Sequence, residues 1–292
     1  MDRNPDSRSP TTAEVQPMTT IDRVTALLES LYPLQWAEEW DRVGLVLGDP
    51  TWEVQRIRLA VDPTVAEARE AAKREGTLLI THHPLLLRGA SFLPATTGKG
   101  AVATEILRSR GGLWCGHTNS DRSQNGTVGA WLELLGLSDA RALEPGKPAD
   151  DESFFGLGAV GECAEPSTVG DVARLIAKSV PATAQGVLFT GEADREVRRI
   201  AVCPGAGDSF LEAATNAGVD LYITSDLRHH PALEHLESRA DHSRVPALID
   251  LPHYASEYLY LPRLASIVCE EFPDLEVEVS TLSSDPFTEA VR

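Results

Sequence analysis

Thiols are scarce in this chain of 292 residues: it has four cysteines, Cys115, Cys163, Cys203 and Cys269, and no two form a C-x-x-C pair. That spacing points away from a thiolate zinc site or a disulfide framework and toward free thiols in a reducing compartment. No apolar run approaches the roughly 20 residues that span a bilayer. No P-loop and no dinucleotide fingerprint occurs, so neither NTP-driven motor work nor NAD chemistry is supported. Basic residues are outnumbered, 26 Lys and Arg against 44 Asp and Glu, for a net charge of −18. So acidic a chain is a poor binder of nucleic-acid backbones, although divalent cations would invert the local field for an anionic substrate. The first 20 residues are rich in Asp, Pro, Ser and Thr and lack the apolar segment of a secretory signal. They predict a disordered tail over residues 1–19 and a cytoplasmic protein without a membrane partner.

Histidine is scarce too, eight in all, yet its placement is patterned. Leu78-Leu79-Ile80-Thr81-His82-His83-Pro84 reads as a buried strand ending in two imidazoles. Buried parallel strands are continuous apolar runs, and ligands of α/β sheets bind beyond their carboxyl ends. Adjacent side chains diverge, which suits two neighbouring ions better than one. His117-Thr118-Asn119-Ser120-Asp121 follows the apolar Leu113-Trp114-Cys115, and His253-Tyr254-Ala255-Ser256-Glu257 follows Ala247-Leu248-Ile249-Asp250-Leu251. In each, His and carboxylate stand four residues apart, one turn of helix on one face. Imidazole and carboxylate form the mixed N/O donor set of Zn, Mn, Fe, Co or Ni.

The surrounding pattern alternates strand and helix, which predicts an α/β fold of mainly parallel sheets. Helices are expected over 20–32, 64–75, 101–110, 128–135 and 168–179, and strands over 57–61, 78–81, 113–115, 154–160 and 186–190. The Pro/Gly/Asp-rich stretch from Glu144 to Asp151 predicts a boundary between lobes over 20–143 and 152–287. The second half echoes the first in order: Arg56–Val61 with Arg199–Val202, Ala71–Gly76 with Ala213–Gly218, Leu78–Thr81 with Asp220–Thr224, and His82-His83-Pro84 with His229-His230-Pro231. Such order predicts an internal duplication, with two related α/β lobes facing one cleft. That cleft would gather His82, His83, His117 and Asp121 from one lobe and His253 and Glu257 from the other. Glu257 could bridge two ions with its two oxygens, and two ions would supply a nucleophile at neutral pH and a clamp for a developing oxyanion.

With these motifs in this order, and Trp40-Asp41-Arg42-Val43-Gly44-Leu45 near the start, the chain resembles the GTP cyclohydrolase 1 type 2 family over about residues 20–287. The resemblance implies two divalent metals per subunit and a ring-like homohexamer. Carried over, the ligands would be His82, His83, Asp121, His253 and Glu257, with His117 a further ligand or a partner behind them. The interval from Asp121 to His253 is too short for the family's inserted domain, so the compact form is expected. Thr224-Ser225-Asp226 stands where the family often has Thr-Gly-Glu, and Pro252 where Gly is common.

The remaining features have plainer readings. Trp40 is expected to pack under a tight turn, with Asp41 satisfying backbone amides. Pro204-Gly205-Ala206-Gly207-Asp208-Ser209 is a weak anion-site candidate. His229 and His230 rank below His253, with His230 at most a catalytic or substrate-contacting residue beside His117. The leading expectation is a metal-dependent hydrolase of a nucleotide or another small phosphorylated substrate; the rival is a metal-binding hexameric scaffold or regulatory protein without turnover.

Overall fold

The computed structural model describes residues 18–146 and 154–291. The expected N-terminal tail therefore falls almost wholly outside the described residues, as do residues 147–151 of the expected boundary. The chain forms two sheets. The first half runs α1 (Ile21–Leu31), β1 (Gly44–Leu47), β2 (Arg56–Ala60), α2 (Val65–Ala72), β3 (Thr77–Thr81), α3 (Gly98–Arg108), β4 (Gly112–Cys115), α4 (Thr118–Asp121) and α5 (Thr127–Leu135). It continues with β5 (Leu137–Glu144), β6 (Leu157–Thr168), α6 (Val169–Ser179), β7 (Leu188–Phe189), β8 (Glu196–Ala206), α7 (Leu211–Asn216) and β9 (Leu221–Ser225). Last come α8 (His229–Leu236), β10 (Ala247–Asp250), α9 (His253–Tyr258), α10 (Tyr260–Glu271) and β11 (Glu276–Val279).

Strand order is β1-β4-β3-β2-β11 in the first sheet and β5-β6-β8-β9-β10-β7 in the second. The central strands of each, β2-β3-β4 and β8-β9-β10, run parallel. Among them β3 and β9 are buried at every position, as doubly covered strands must be. Antiparallel pairing joins β1–β4, β5–β6, β6–β8 and β7–β10, so the second sheet is more mixed than its sequence suggested.

The two halves repeat the same succession, α1-β1-β2-α2-β3-α3-β4 against α6-β7-β8-α7-β9-α8-β10, with matching strand order. The predicted duplication is thus visible in topology. Sheet membership, however, does not divide at Glu144–Asp151. Strand β5 precedes that stretch yet hairpins onto β6 in the second sheet, while β11 follows it and adds to β2 of the first. β5 lacks the apolar alternation that would have announced it, and β11 alternates as Glu276-Val277-Glu278-Val279 but over four residues only; both lie at sheet edges, and most of their residues are partly or fully exposed.

Each sheet is covered on both faces. Leu78 and Ile80 of β3 point with Ile57 and Leu59 toward α1 and α10, whereas Leu79 points with Ala60 toward α2 and α3. The second sheet divides alike: Ile200, Val202 and Ile223 meet α5 and α6, while Ala201, Cys203 and Tyr222 meet α7. Helix α5 lies between the two, with Ala130 in one core and Trp131 in the other; the Trp131 indole N–H donates to the Ser256 carbonyl of α9 at 2.8 Å. Helices α2, α3 and α6 begin on threonines whose side chains accept the amide three residues on. This packing fixes the ends of β3, β4 and β10 side by side, where the histidines emerge.

Candidate metal centre

Beyond β3 the ladder continues for two residues, His82 N–H donating to Ala60 O and His83 N–H to Val61 O. Extended backbone sends their side chains apart. His82 is wholly buried and His83 is partly open, with ring centroids 5.0 Å apart. His117 precedes α4; its amide donates to Asn119 Oδ1, and Asn119 Nδ2 donates to Tyr32 O, pinning the turn. At the other end of α4, Asp121 accepts from Thr127 Oγ1 and faces His82 Nε2 at 3.7 Å. His253 and Glu257 share one face of α9, their Nε2 and Oε1 atoms 2.9 Å apart.

Glu257 sits at the middle of this group and is almost fully buried. Its Oε1 lies 3.3 Å from His82 Nε2, and its Oε2 lies 3.1 Å from His83 Nε2. Donor atoms of His82, His83 and His117 fall within 4.8 Å of one another, and so do those of His83, His253 and Glu257. The two groups share His83. His82 Nε2 and Glu257 Oε2 are buried yet make no hydrogen bond of good geometry among the described residues. Buried polar atoms are normally satisfied, and an ion among these donors would satisfy both. The nitrogen and oxygen donors fit a divalent metal of the Zn, Fe, Mn, Co or Ni type.

Three of the four imidazoles are held from behind by a carboxylate. His83 Nδ1 lies 2.7 Å from Asp62 Oδ1, His117 Nδ1 2.9 Å from Asp41 Oδ1, and His253 Nδ1 2.7 Å from Asp226 Oδ2. Each pairing keeps the proton on Nδ1 and turns the Nε2 lone pair inward, as metal-binding histidines require. These carboxylates are what the sequence reading missed. Asp41 does accept backbone amides as expected, from Arg42 and Thr118, but it also orients His117. Asp62 and Asp226 follow the ends of β2 and β9, a position at which a carboxylate is worth noticing. Asp226 takes φ +57, a left-handed value unusual outside glycine.

Without an ion the field here strongly favours cations. Burial pulls the His83 imidazole down, but Glu257 and Asp62 outweigh it and lift His83 to about 11. Burial likewise lowers His253, and Asp226 and Glu257 lift it to about 10. Glu257 is held well below the usual carboxylate range, since the histidines outweigh its burial. Protons and metal ions would compete for the same inward lone pairs.

Two cavities flank the group. One, of about 350 Å³, is lined by Asp62, His83, Asp226 and His253. The other, of about 370 Å³, is lined by Trp40, His117, Asp121, Gly205, Phe210 and Glu257. Gly205 has φ +73, and a Cβ there would stand 2.5 Å from Glu257 Oε1. The glycine turn is therefore a close approach of backbone to the centre. Trp40 does not pack under its turn: its side chain is 55% exposed, edge-on to His117 at 5.9 Å. His230, with His229, stands exposed at the start of α8 and joins neither donor group nor either cavity, so the resemblance between the two His-His-Pro runs does not extend to the site. The equivalent of His82-His83 after β9 is instead Ser225-Asp226.

A family model described as Duf34/NIF3 (NGG1p interacting factor 3) matches residues 19–286. The chain belongs to this family. A Streptomyces coelicolor relative named GTP cyclohydrolase 1 type 2 homolog is 40% identical over 275 residues, covering 93% of this chain and 94% of the relative. A Mycobacterium leprae relative of the same name is 28% identical over 373 aligned positions, covering 92% and 95%. That alignment exceeds the 292 residues of this chain, so the mycobacterial relative carries segments that this compact member of the family lacks. A solved Staphylococcus aureus protein is 27% identical with a TM-score of 0.81, covering 94% of this chain and all of that one. A Bacillus cereus protein related to NIF3 shares the fold at a TM-score of 0.82 and 19% identity, covering 94% and 100%.

Proposed function

We propose that the chain is a dinuclear metal-dependent hydrolase acting on a nucleotide or another small phosphorylated substrate. The observation that carries this reading is Glu257, a carboxylate with two oxygens buried among the inward nitrogens of His82, His83 and His253; His83, common to both donor groups, has only Nε2 free and would serve one ion. His82, His83, Asp121, His253 and Glu257 would hold two divalent ions, and His117 completes the ring of nitrogens. Such ions, when bound, supply Lewis acidity and a nucleophile at neutral pH. The protein's own part is orientation. Asp41, Asp62 and Asp226 fix three rings, and Glu257 presents Oε1 to His82 and His253 and Oε2 to His83. With Asp41 holding its Nδ1, His117 has only Nε2 left, which serves either as a further ligand or, with no ion on it, as a proton carrier to a substrate in the larger cavity that its ring lines.

The names of the curated relatives support GTP as the first substrate to test. The family resemblance supports a homohexamer in the cytoplasm; sizing by light scattering tests the assembly. For activity, metal-loaded protein and a His83→Ala variant are assayed against GTP and a panel of phosphoesters. Hydrolysis that falls together with metal content in the variant establishes the enzyme. Full metal content without turnover on any substrate would instead favour a metal-binding scaffold or regulatory protein.

A further inference from the structure

Trp40 is a large apolar side chain left more than half exposed at the rim of the cavity that reaches Glu257. It is not loosely held. The segment around it is tied to the start of α4 by Glu38 N–H donating to Thr118 Oγ1 at 2.9 Å, and by Asp41 accepting from the Thr118 amide at 3.0 Å. The indole is thus presented rigidly, against the edge of His117. Phe210 and Leu157 line the same space, and the floor is the Gly205 turn, where no side chain intervenes. An exposed, anchored indole beside an apolar wall is a stacking surface, since every planar ring has a π-face for it. The volume of about 370 Å³ falls in the range of small-ligand sites.

Charge decides which part of a ligand the protein itself would grip. Asp41, Asp62, Asp121, Asp226 and Glu257 crowd the centre. Two divalent ions would bring four positive charges against these five carboxylates. Among the described residues no Lys or Arg lines either cavity. Phosphates would therefore have only the ions themselves to bind, with no basic side chain beside them, whereas an uncharged ring can be held by the pocket wall alone.

Resting on the dinuclear reading above, we infer that this cavity is the substrate pocket and that it selects a planar ring of purine size, with Trp40 as the stacking wall and the phosphates of any nucleotide contributing little. The test is equilibrium binding by calorimetry to metal-loaded protein, with metal content checked in every sample. The probes are GTP; guanosine and adenosine, which keep a ring without phosphates; and tripolyphosphate, which keeps the phosphates without a ring. A nucleoside is expected to bind within a few-fold of its affinity as GTP and more tightly than tripolyphosphate. Trp40→Ala should weaken the nucleoside by about tenfold, Trp40→Phe should restore most of it, and both variants should retain metal. Tripolyphosphate binding better than either nucleoside, failure of both nucleosides to bind, or an unchanged nucleoside affinity in Trp40→Ala would overturn the inference. The readout needs no turnover: nucleoside binding that depends on Trp40, in protein that turns over neither GTP nor any phosphoester, would sink the hydrolase and leave this pocket standing.

Discussion

Asp226 Oδ2 lies 2.7 Å from His253 Nδ1, and the opposite nitrogen of that ring lies 2.9 Å from Glu257 Oε1. The imidazole is strung between two carboxylates, one behind it and one at the centre, and the same holds for His83 between Asp62 and Glu257. Removing the rear carboxylate should loosen the ring without removing a ligand. Asp62→Asn and Asp226→Asn are each expected to weaken metal affinity by about 10–100-fold, measured by chelator competition. Unchanged affinity in both would mean that packing alone orients the rings.

Gly205 tests how tightly the backbone approaches the centre. At φ +73 alanine is strained, and its Cβ would press on Glu257 Oε1. Gly205→Ala should lower metal content while circular dichroism stays unchanged. An alanine variant with full metal content would show that Glu257 has room to move.

Away from the centre, Arg58 and Glu67 form an ion pair at 2.7 Å between β2 and α2, both almost fully buried. Glu278 and Ser280 also bond Arg58. Losing one member of a buried pair leaves a charge uncompensated, so Glu67→Ala should cost about 3 kcal/mol of stability in denaturant unfolding. A loss under about 1 kcal/mol would indicate that Glu278 suffices for Arg58.

His235 gives a dependence on pH that is separable from the metals. Burial in the second core depresses its imidazole below the ordinary 6.5, only partly offset by its bond to Pro246 O. Above about pH 6.5 the ring is neutral in folded and unfolded chains alike, and its contribution to stability is complete. As pH falls below that value the unfolded chain takes up a proton that the folded one resists, and stability is lost. The His235→Gln variant should therefore lose less stability than the parent between pH 7 and pH 5. Parallel slopes would place the titration elsewhere.

Much of this was legible in the sequence because chemistry and burial coincide there. Leu78–Ile80 is an apolar run just short of the two imidazoles, and His253 and Glu257 keep helical spacing, so strand, helix and donors announce one another. Not every edge element was legible: β7 falls inside the strand expected over 186–190, but β11 pairs with β2 across more than half the chain and β5 crosses the expected boundary to join the second sheet. Local pattern carries no trace of such pairings. The three rear carboxylates were hidden for a related reason: each lies 21–76 positions from its histidine, and only the fold joins them. His230 misled because a repeated tripeptide looks the same whether it ends a strand or opens a helix, and here it opens α8.

The most direct measurement is metal content per chain, in protein purified without chelator, for the parent and for Glu257→Gln. The parent should carry about two divalent ions, and the variant, having lost the charge that faces His82, His83 and His253, should carry about one or none. A parent chain without bound metal, or a variant that keeps both ions, would contradict the bridging role given to Glu257.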